Sequence, residues 1–220
     1  MFADWGQLLL ACAAFAFLAS FAGGTIWNQR KGNAAIKWLR DGLPLIGERS
    51  TMRWVGTAAV MLGIAKAKSP FRSAEVLLLL EPRDVFFIWA FFRARGRRDL
   101  LIFRAHLHAV PAFDLEAVDP TAWSGRDAER DAAKRGWTRL ALDASPALTV
   151  YHSGLSDSTT PRALLSLAQK IPGRLVRFCV RRSVPNMELR WQWTEAKTQS
   201  ARDWFMQVRQ LGEAIETANR

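Results

Sequence analysis

Cysteine, histidine and tyrosine are scarce in this chain, with two, three and one among 220 residues. Cys12 lies in an uncharged apolar run and Cys179 in the last third of the chain, so no disulfide framework is expected, as suits a reducing compartment. His106 and His108 stand two apart on one strand face. No third histidine, cysteine or carboxylate pair stands at ligand spacing with them, so no metal centre is expected. A glycine-rich phosphate loop, a G-x-S-x-G elbow, an H-E-x-x-H pair and a C-x-x-C pair are all absent. His152, Ser153, Ser156 and Asp157 are neighbours on one loop, an arrangement that seldom gives a nucleophile both a base and an orienting group. No catalytic residue and no cofactor are named, and the chain reads as non-enzymatic.

Charge is missing where its absence says most. Trp5 to Trp27 carries no charged side chain, and Asn28-Gln29-Arg30-Lys31 follows at once. As a helix rising about 1.5 Å per residue, that run covers roughly 34 Å, enough for a bilayer core of about 30 Å. Its length and the lack of positive charge before it argue against a cleaved signal peptide. Arg30, Lys31, Lys37 and Arg40 follow the run, whereas Asp4 is the only charged side chain before it. The positive-inside tendency then gives a single-pass signal-anchor at 1–27, with a short N-terminus outside or lumenal and the C-terminal domain cytosolic. Trp5, Trp27, Arg30 and Lys31 mark its two interfaces.

The positive charge belongs to the part beyond the span, because the whole chain carries +11. A basic domain held at a cytosolic leaflet is attracted to anionic lipid. RNA, the ribosome or an acidic protein are further candidate partners, and DNA is not expected.

The pattern of elements is α+β, with two β/α sub-units, 28–110 and 136–220, on either side of an acidic, polar connection at 111–135. Asn33 to Leu39 continues as a short amphipathic helix, and Met52 to Lys66 leans to strand. Glu75–Leu80 and Leu100–Ala109 read as strands flanking an apolar helix from Val85 to Arg93, opened by Glu81-Pro82-Arg83-Asp84 and stopped at Gly96, in a βαβ-sized unit. The connection carries Asp114, Glu116, Asp119, Asp127, Glu129 and Asp131, with one helix around 126–135. Strands at 137–142 and 147–152, turning at Asp143-Ala144-Ser145-Pro146, precede a helix at 162–171. Alternation makes an antiparallel pair of 175–182 and 187–193. A last helix, 198–217, carries Ala201, Trp204, Phe205, Val208, Leu211, Gly212 and Ile215 on one stripe.

Two features remain for function. The helix bearing Phe86, Phe87, Trp89, Phe91 and Phe92 has no polar face, so it is expected to be buried on every side or to leave one side for a membrane surface or a transmembrane partner. Arg93, Arg95, Arg97 and Arg98 follow it as a candidate partner or phosphate surface, or as a solvated helix corner.

Asn33, Ala35 and Trp38 stand in an N-x-A-x-x-W arrangement just after the span, ahead of a strand, an Arg83-Asp84-led apolar helix and a second strand. This order resembles the calumin family, the coiled-coil-domain-containing endoplasmic-reticulum membrane proteins of the PAT complex. The likeness runs over roughly 8–110 and the C-terminal helix–strand–strand–helix, and both Arg83-Asp84 and Arg98-Asp99 compete for the family's Arg-x-Asp-Leu-Leu position. The family's acidic lumenal region and basic coiled coil have no counterpart among these residues, so their calcium binding and ribosome contact do not carry over. The resemblance implies a membrane-anchored adaptor or scaffold that assists membrane-protein insertion, with translocon or insertase components as partners. The alternatives are a lipid-binding or lipid-modifying enzyme at the membrane, and a tethered RNA-binding module.

Overall fold

The computed structural model describes residues 2–122, 125–140, 148–155, 158–193 and 200–219. It has α+β architecture: a long apolar N-terminal helix, then a nine-stranded antiparallel sheet with four further helices among the described residues. The first helix, α1 (Phe2–Arg40), is unbroken, so the apolar run and the amphipathic segment after it form one rod. Leu43–Leu45 then makes a single 3-10 turn, with Pro44 inside it.

The strands are β1 (Gly47–Trp54), β2 (Ala59–Ala67), β3 (Phe71–Leu79), β4 (Leu100–Leu107), β5 (Asp114–Val118), β6 (Thr138–Leu140), β7 (Thr149–Ser153), β8 (Arg174–Val180) and β9 (Met187–Gln192), in the spatial order β1-β2-β3-β4-β9-β8-β5-β7-β6. Met52 to Lys66 thus holds the end of one strand, a turn and most of a second. Strands from both sides of 111–135 lie in this one sheet, joined where Phe103 of β4 pairs with Leu189 of β9. β3 and β4 are antiparallel neighbours, with Leu79 opposite Leu100. The helix between them, α2 (Phe86–Ala94), is therefore an excursion at the sheet's end, not a βαβ crossover. The Asp143–Pro146 turn lies outside the described residues.

The segment 111–135 is less solvated than its composition implies. It contains β5, which pairs with both β7 and β8, and then α3 (Gly125–Lys134). Glu116 and Asp119 are buried. Each is held by arginine: Glu116 by Arg177 and Arg181, and Asp119 by Arg174. A carboxylate can leave water when a guanidinium and hydrogen bonds replace its hydration.

One sheet face is apolar and covered. Leu101, Phe103, Ala105 and Leu107 of β4 and Leu189 and Trp191 of β9 are buried there. They lie beneath α4 (Thr159–Lys170) and α5 (Ala201–Thr217). Every residue of the expected α5 stripe is buried, whereas 194–199, where that helix was expected to begin, lie outside the described residues. Trp204 is the hub. Its ring centroid lies 4.9 Å from Trp191, 4.8 Å from Phe205 and 6.1 Å from both Phe103 and Trp38, each time near edge-on, as ring quadrupoles favour. The opposite face is a ladder of charge: Arg104 lies between Glu75 and Glu188, and Glu188 also pairs with Arg190.

Candidate functional site at the helix–domain junction

Trp5 to Gly23 is exposed except for half-buried Ser20. By length and composition it can cross a membrane. From Gly24 onward one stripe of the helix, Gly24, Asn28, Gly32, Ala35 and Leu39, is buried against the domain. The spacing of four, four, three and four residues keeps these positions on one face. Two of them need to be glycine. A Cβ on Gly24 would stand 2.0 Å from the carbonyl oxygen of Arg83, and one on Gly32 would stand 2.5 Å from the Trp54 ring.

This close approach brings the helix onto a buried polar cluster. Asn28 is fully buried; its Nδ2 donates to the Glu81 carbonyl at 3.1 Å, and its Oδ1 accepts from Arg83 Nη1 at 3.1 Å. Arg83 reaches Asp99 with two parallel hydrogen bonds of 3.0 Å each. Lys31 Nζ lies 3.0 Å from Asp99 Oδ2, and the Glu81 amide donates to Asp99 Oδ1 at 2.7 Å. Glu81, also buried, accepts from Arg93 Nη1 at 3.1 Å and from the Trp89 indole N–H. Lys31, Arg83 and Arg93 thus face Glu81 and Asp99 across three segments of chain. Burial alone would raise the Asp99 pKa. The hydrogen bonds from Arg83 and the Glu81 amide, with the charges of Arg83 and Lys31, outweigh it and hold the carboxyl below its ordinary range.

α2 projects from this cluster with no buried residue. Phe86, Phe87 and Phe91 are exposed, so burial on every side, the first of the two expectations, is overturned. The reason lies in the loop at Arg83 and Asp84, which seats α2 beside α1 at the end of the sheet, away from its apolar face. Residues 81–85 form a turn, and the helix begins only at Phe86. Asp84 accepts a 2.7 Å hydrogen bond from Thr57, joining that turn to the β1–β2 loop. At the other end Gly96 takes φ +86°, and the N–H groups of Gly96 and Arg97 donate to Arg93 and Phe92, a glycine-terminated cap.

The four arginines after the aromatic run have separate positions. Arg93 turns inward to Glu81. Arg95 lies 4.0 Å over the Phe91 ring and Arg97 5.2 Å over Phe92, which leaves their charge near aromatic faces. Arg98 donates to the carbonyls of Arg93 and Arg97 at the helix C-terminus. Trp5, Trp27 and Arg30 are exposed. Ala35 is buried, Trp38 packs edge-on to Trp193 at 5.3 Å, and Asn33 faces outward.

In the sequence Asn28 and Glu81 only flank the span and the apolar helix, and Asp99 only belongs to a motif-like pair with Arg98; no pattern joins the three. Each stands in its own short polar stretch, far from the others in the chain, and only the fold brings them together. Among the described residues no group of His, Cys, Asp and Glu is placed to hold a metal. His106 is half-buried and His108 exposed on β4 and the turn after it, while Ser156 and Asp157 lie outside the described residues. Burial, the largest effect, and nearby Glu116 push the Cys179 thiol up to about 11 against Arg177 and Arg181. The chain matches no protein-family model and no curated protein sequence.

Proposed function

We propose that this protein is a non-enzymatic, membrane-anchored adaptor whose basic domain is seated on the cytosolic face of a bilayer and presents a binding surface to a membrane-protein partner. The passage of α1 from an exposed apolar rod into the buried stripe at Gly24, Asn28 and Gly32 carries this reading. The exposed length from Trp5 to Gly23 is roughly 28 Å at about 1.5 Å per residue, close to one hydrocarbon core of about 30 Å. At that depth α2 begins beside the helix. Its exposed phenylalanines then lie in the interfacial zone, with Arg95 and Arg97 reaching headgroups from the ring faces. Arg30, Lys31, Lys37 and Arg40 support the cytosolic orientation.

The domain is thus held in one attitude instead of swinging on a linker, which suits a scaffold. β1 is an edge strand whose residues from Glu48 to Arg53 are exposed, and it offers unpaired backbone groups close to the membrane. The resemblance to calumin supports components of the insertion machinery as the partner. Photo-cross-linking of the full-length protein in native membranes, from Met52 on β1 and from Phe17 on the span, tests this. Recovery of channel or insertase subunits is the expected result. Cross-links to lipid and to no membrane protein at both positions would remove the adaptor reading.

A further inference from the structure

On the charged face of the sheet, at the end where α1 leaves the domain, there is a cleft of ≈ 490 Å³ that takes no part in the junction. Its polar wall is formed by Arg97, Arg98, Arg174 and Arg190, with Thr121 and Gln192. The four arginines come from three separate places. Arg97 and Arg98 follow the α2 cap, Arg174 opens β8 directly opposite Gln192 of β9, and Arg190 stands two residues before Gln192 on the same face. No carboxylate lines the cleft, although two lie behind its wall.

Those two carboxylates hold arginines in place without neutralising the site. Asp119 takes Arg174 at 2.6 Å, and Thr121 donates to the same Asp119 carboxylate while accepting from Arg174 at 3.0 Å. Glu188 takes Arg190 at 2.7 Å but is shared with Arg104. Burial would raise both carboxyl pKa values. For Asp119, hydrogen bonds from Thr121 and Arg174 outweigh it; for Glu188, the Arg190 charge and hydrogen bonds from Arg104 and Arg190 do, so both stay ionised at neutral pH. Arg97 and Arg98 have no carboxylate partner among the described residues. The wall therefore carries excess positive charge on guanidinium groups already restrained by their neighbours. Such groups suit the planar, two-pronged hydrogen bonding that phosphate oxygens accept. Leu79, Leu100 and Val176 supply an apolar floor on which the carbon part of a ligand can rest.

We infer that this cleft is a binding site for a phosphate group, carried either by an anionic phospholipid headgroup or by a small soluble phosphate. Its position beside the junction puts lipid headgroups within reach. Arg174 and Arg190 of the sheet supply half of its guanidinium groups and need no contact between the α2 phenylalanines and lipid. A protein whose α2 stays in water but which still binds one phosphate would lose the adaptor seating and keep this site.

The test uses full-length protein in neutral-detergent micelles, titrated with short-chain phosphatidylglycerol, short-chain phosphatidylcholine or inorganic phosphate. Binding is followed by calorimetry and native mass spectrometry. One saturable equivalent of phosphatidylglycerol, bound more tightly than phosphatidylcholine, is expected. Arg97→Gln and Arg190→Gln should each weaken it about tenfold, the loss of one charge-assisted partner, with unchanged melting as the check on folding. Arg209→Gln, the same charge change at the exposed Arg209–Glu213 pair on α5, should have no effect. Equally tight binding of inorganic phosphate assigns the site to a soluble ligand, and much weaker phosphate binding assigns it to lipid. Absence of saturable binding by either, or an equal loss in Arg209→Gln, overturns the inference.

Discussion

Arg83 grips Asp99 with both arms of its guanidinium, Nη1 to Oδ1 and Nη2 to Oδ2, each at 3.0 Å, with the two side chains almost fully removed from water. Sixteen positions separate the two residues, and all of α2 lies between them. The pair therefore closes the base of the excursion that carries the exposed aromatic helix, while Lys31 and Asn28 fasten α1 to the same point.

Asp99→Asn should destabilise the full-length protein by about 3 kcal/mol, because it leaves Arg83 and Lys31 with reduced charge compensation in a buried setting. The folded-state pKa of Asp99 lies below its unfolded value of about 3.9. Its contribution is consequently complete above that value and is lost as pH falls through the folded pKa. Melting in detergent from pH 7 down to pH 2 should show a shallower acid limb in the variant than in the parent. Parallel limbs would show that Asp99 does not titrate as described.

Gly24→Leu should loosen the junction, since its Cβ would meet the Arg83 carbonyl and backbone adjustment is the only escape. A cost of about 2–3 kcal/mol is expected. Limited trypsin digestion should then cut faster after Arg83 and Arg93. Gly6→Leu, where no atom lies within 4 Å, is the matched control and should melt as the parent does.

An environment-sensitive dye on Phe87→Cys, in a Cys12→Ala background, should blue-shift when the protein is reconstituted in vesicles. The same dye on Val184→Cys, exposed on the β8–β9 turn at the other end of the sheet, should not. Equal spectra at both positions would place α2 in water.

Cys179 should resist a thiol reagent at pH 8 in the folded protein and react only on unfolding, because it is buried and its pKa is about 11. Cys12 is exposed on the span and should be protected by lipid rather than by protein. Mass spectrometry of the labelled chain, with and without denaturant, separates the two sites.

The parts legible in the sequence were those in which apolar side chains fall on one face of an element and polar or charged ones on the other. The antiparallel β8–β9 pair and the α5 stripe are of this kind and appear, except that a register shift between Leu175 and Arg177 puts Leu175, not Val176, on the face of Phe178 and Val180. β1 gave no such signal: its residues between Gly47 and Trp54 are exposed on both faces, so nothing apolar alternates. In β5 and just after it, the carboxylates of Glu116 and Asp119 read as solvated because their arginine partners lie more than fifty residues away in sequence. The same distance effect hid most of the junction. Lys31, Arg83 and Asp99 each stand in a segment the sequence marks, but nothing in their spacing pairs Asp99 with either cation. For α2 the ambiguity was physical, because an all-apolar helix has the same pattern whether protein or lipid surrounds it.

The lack of a hinge in α1 has a mechanical consequence. With the helix continuous from Phe2 to Arg40 and pinned at Gly24, Asn28 and Gly32, any lean of the rod becomes an equal rotation of the whole sheet. If the rod crosses a bilayer as proposed, a thinner or thicker membrane, which changes that lean, would raise or lower β1 and the charged face together, like a pointer on the membrane's thickness.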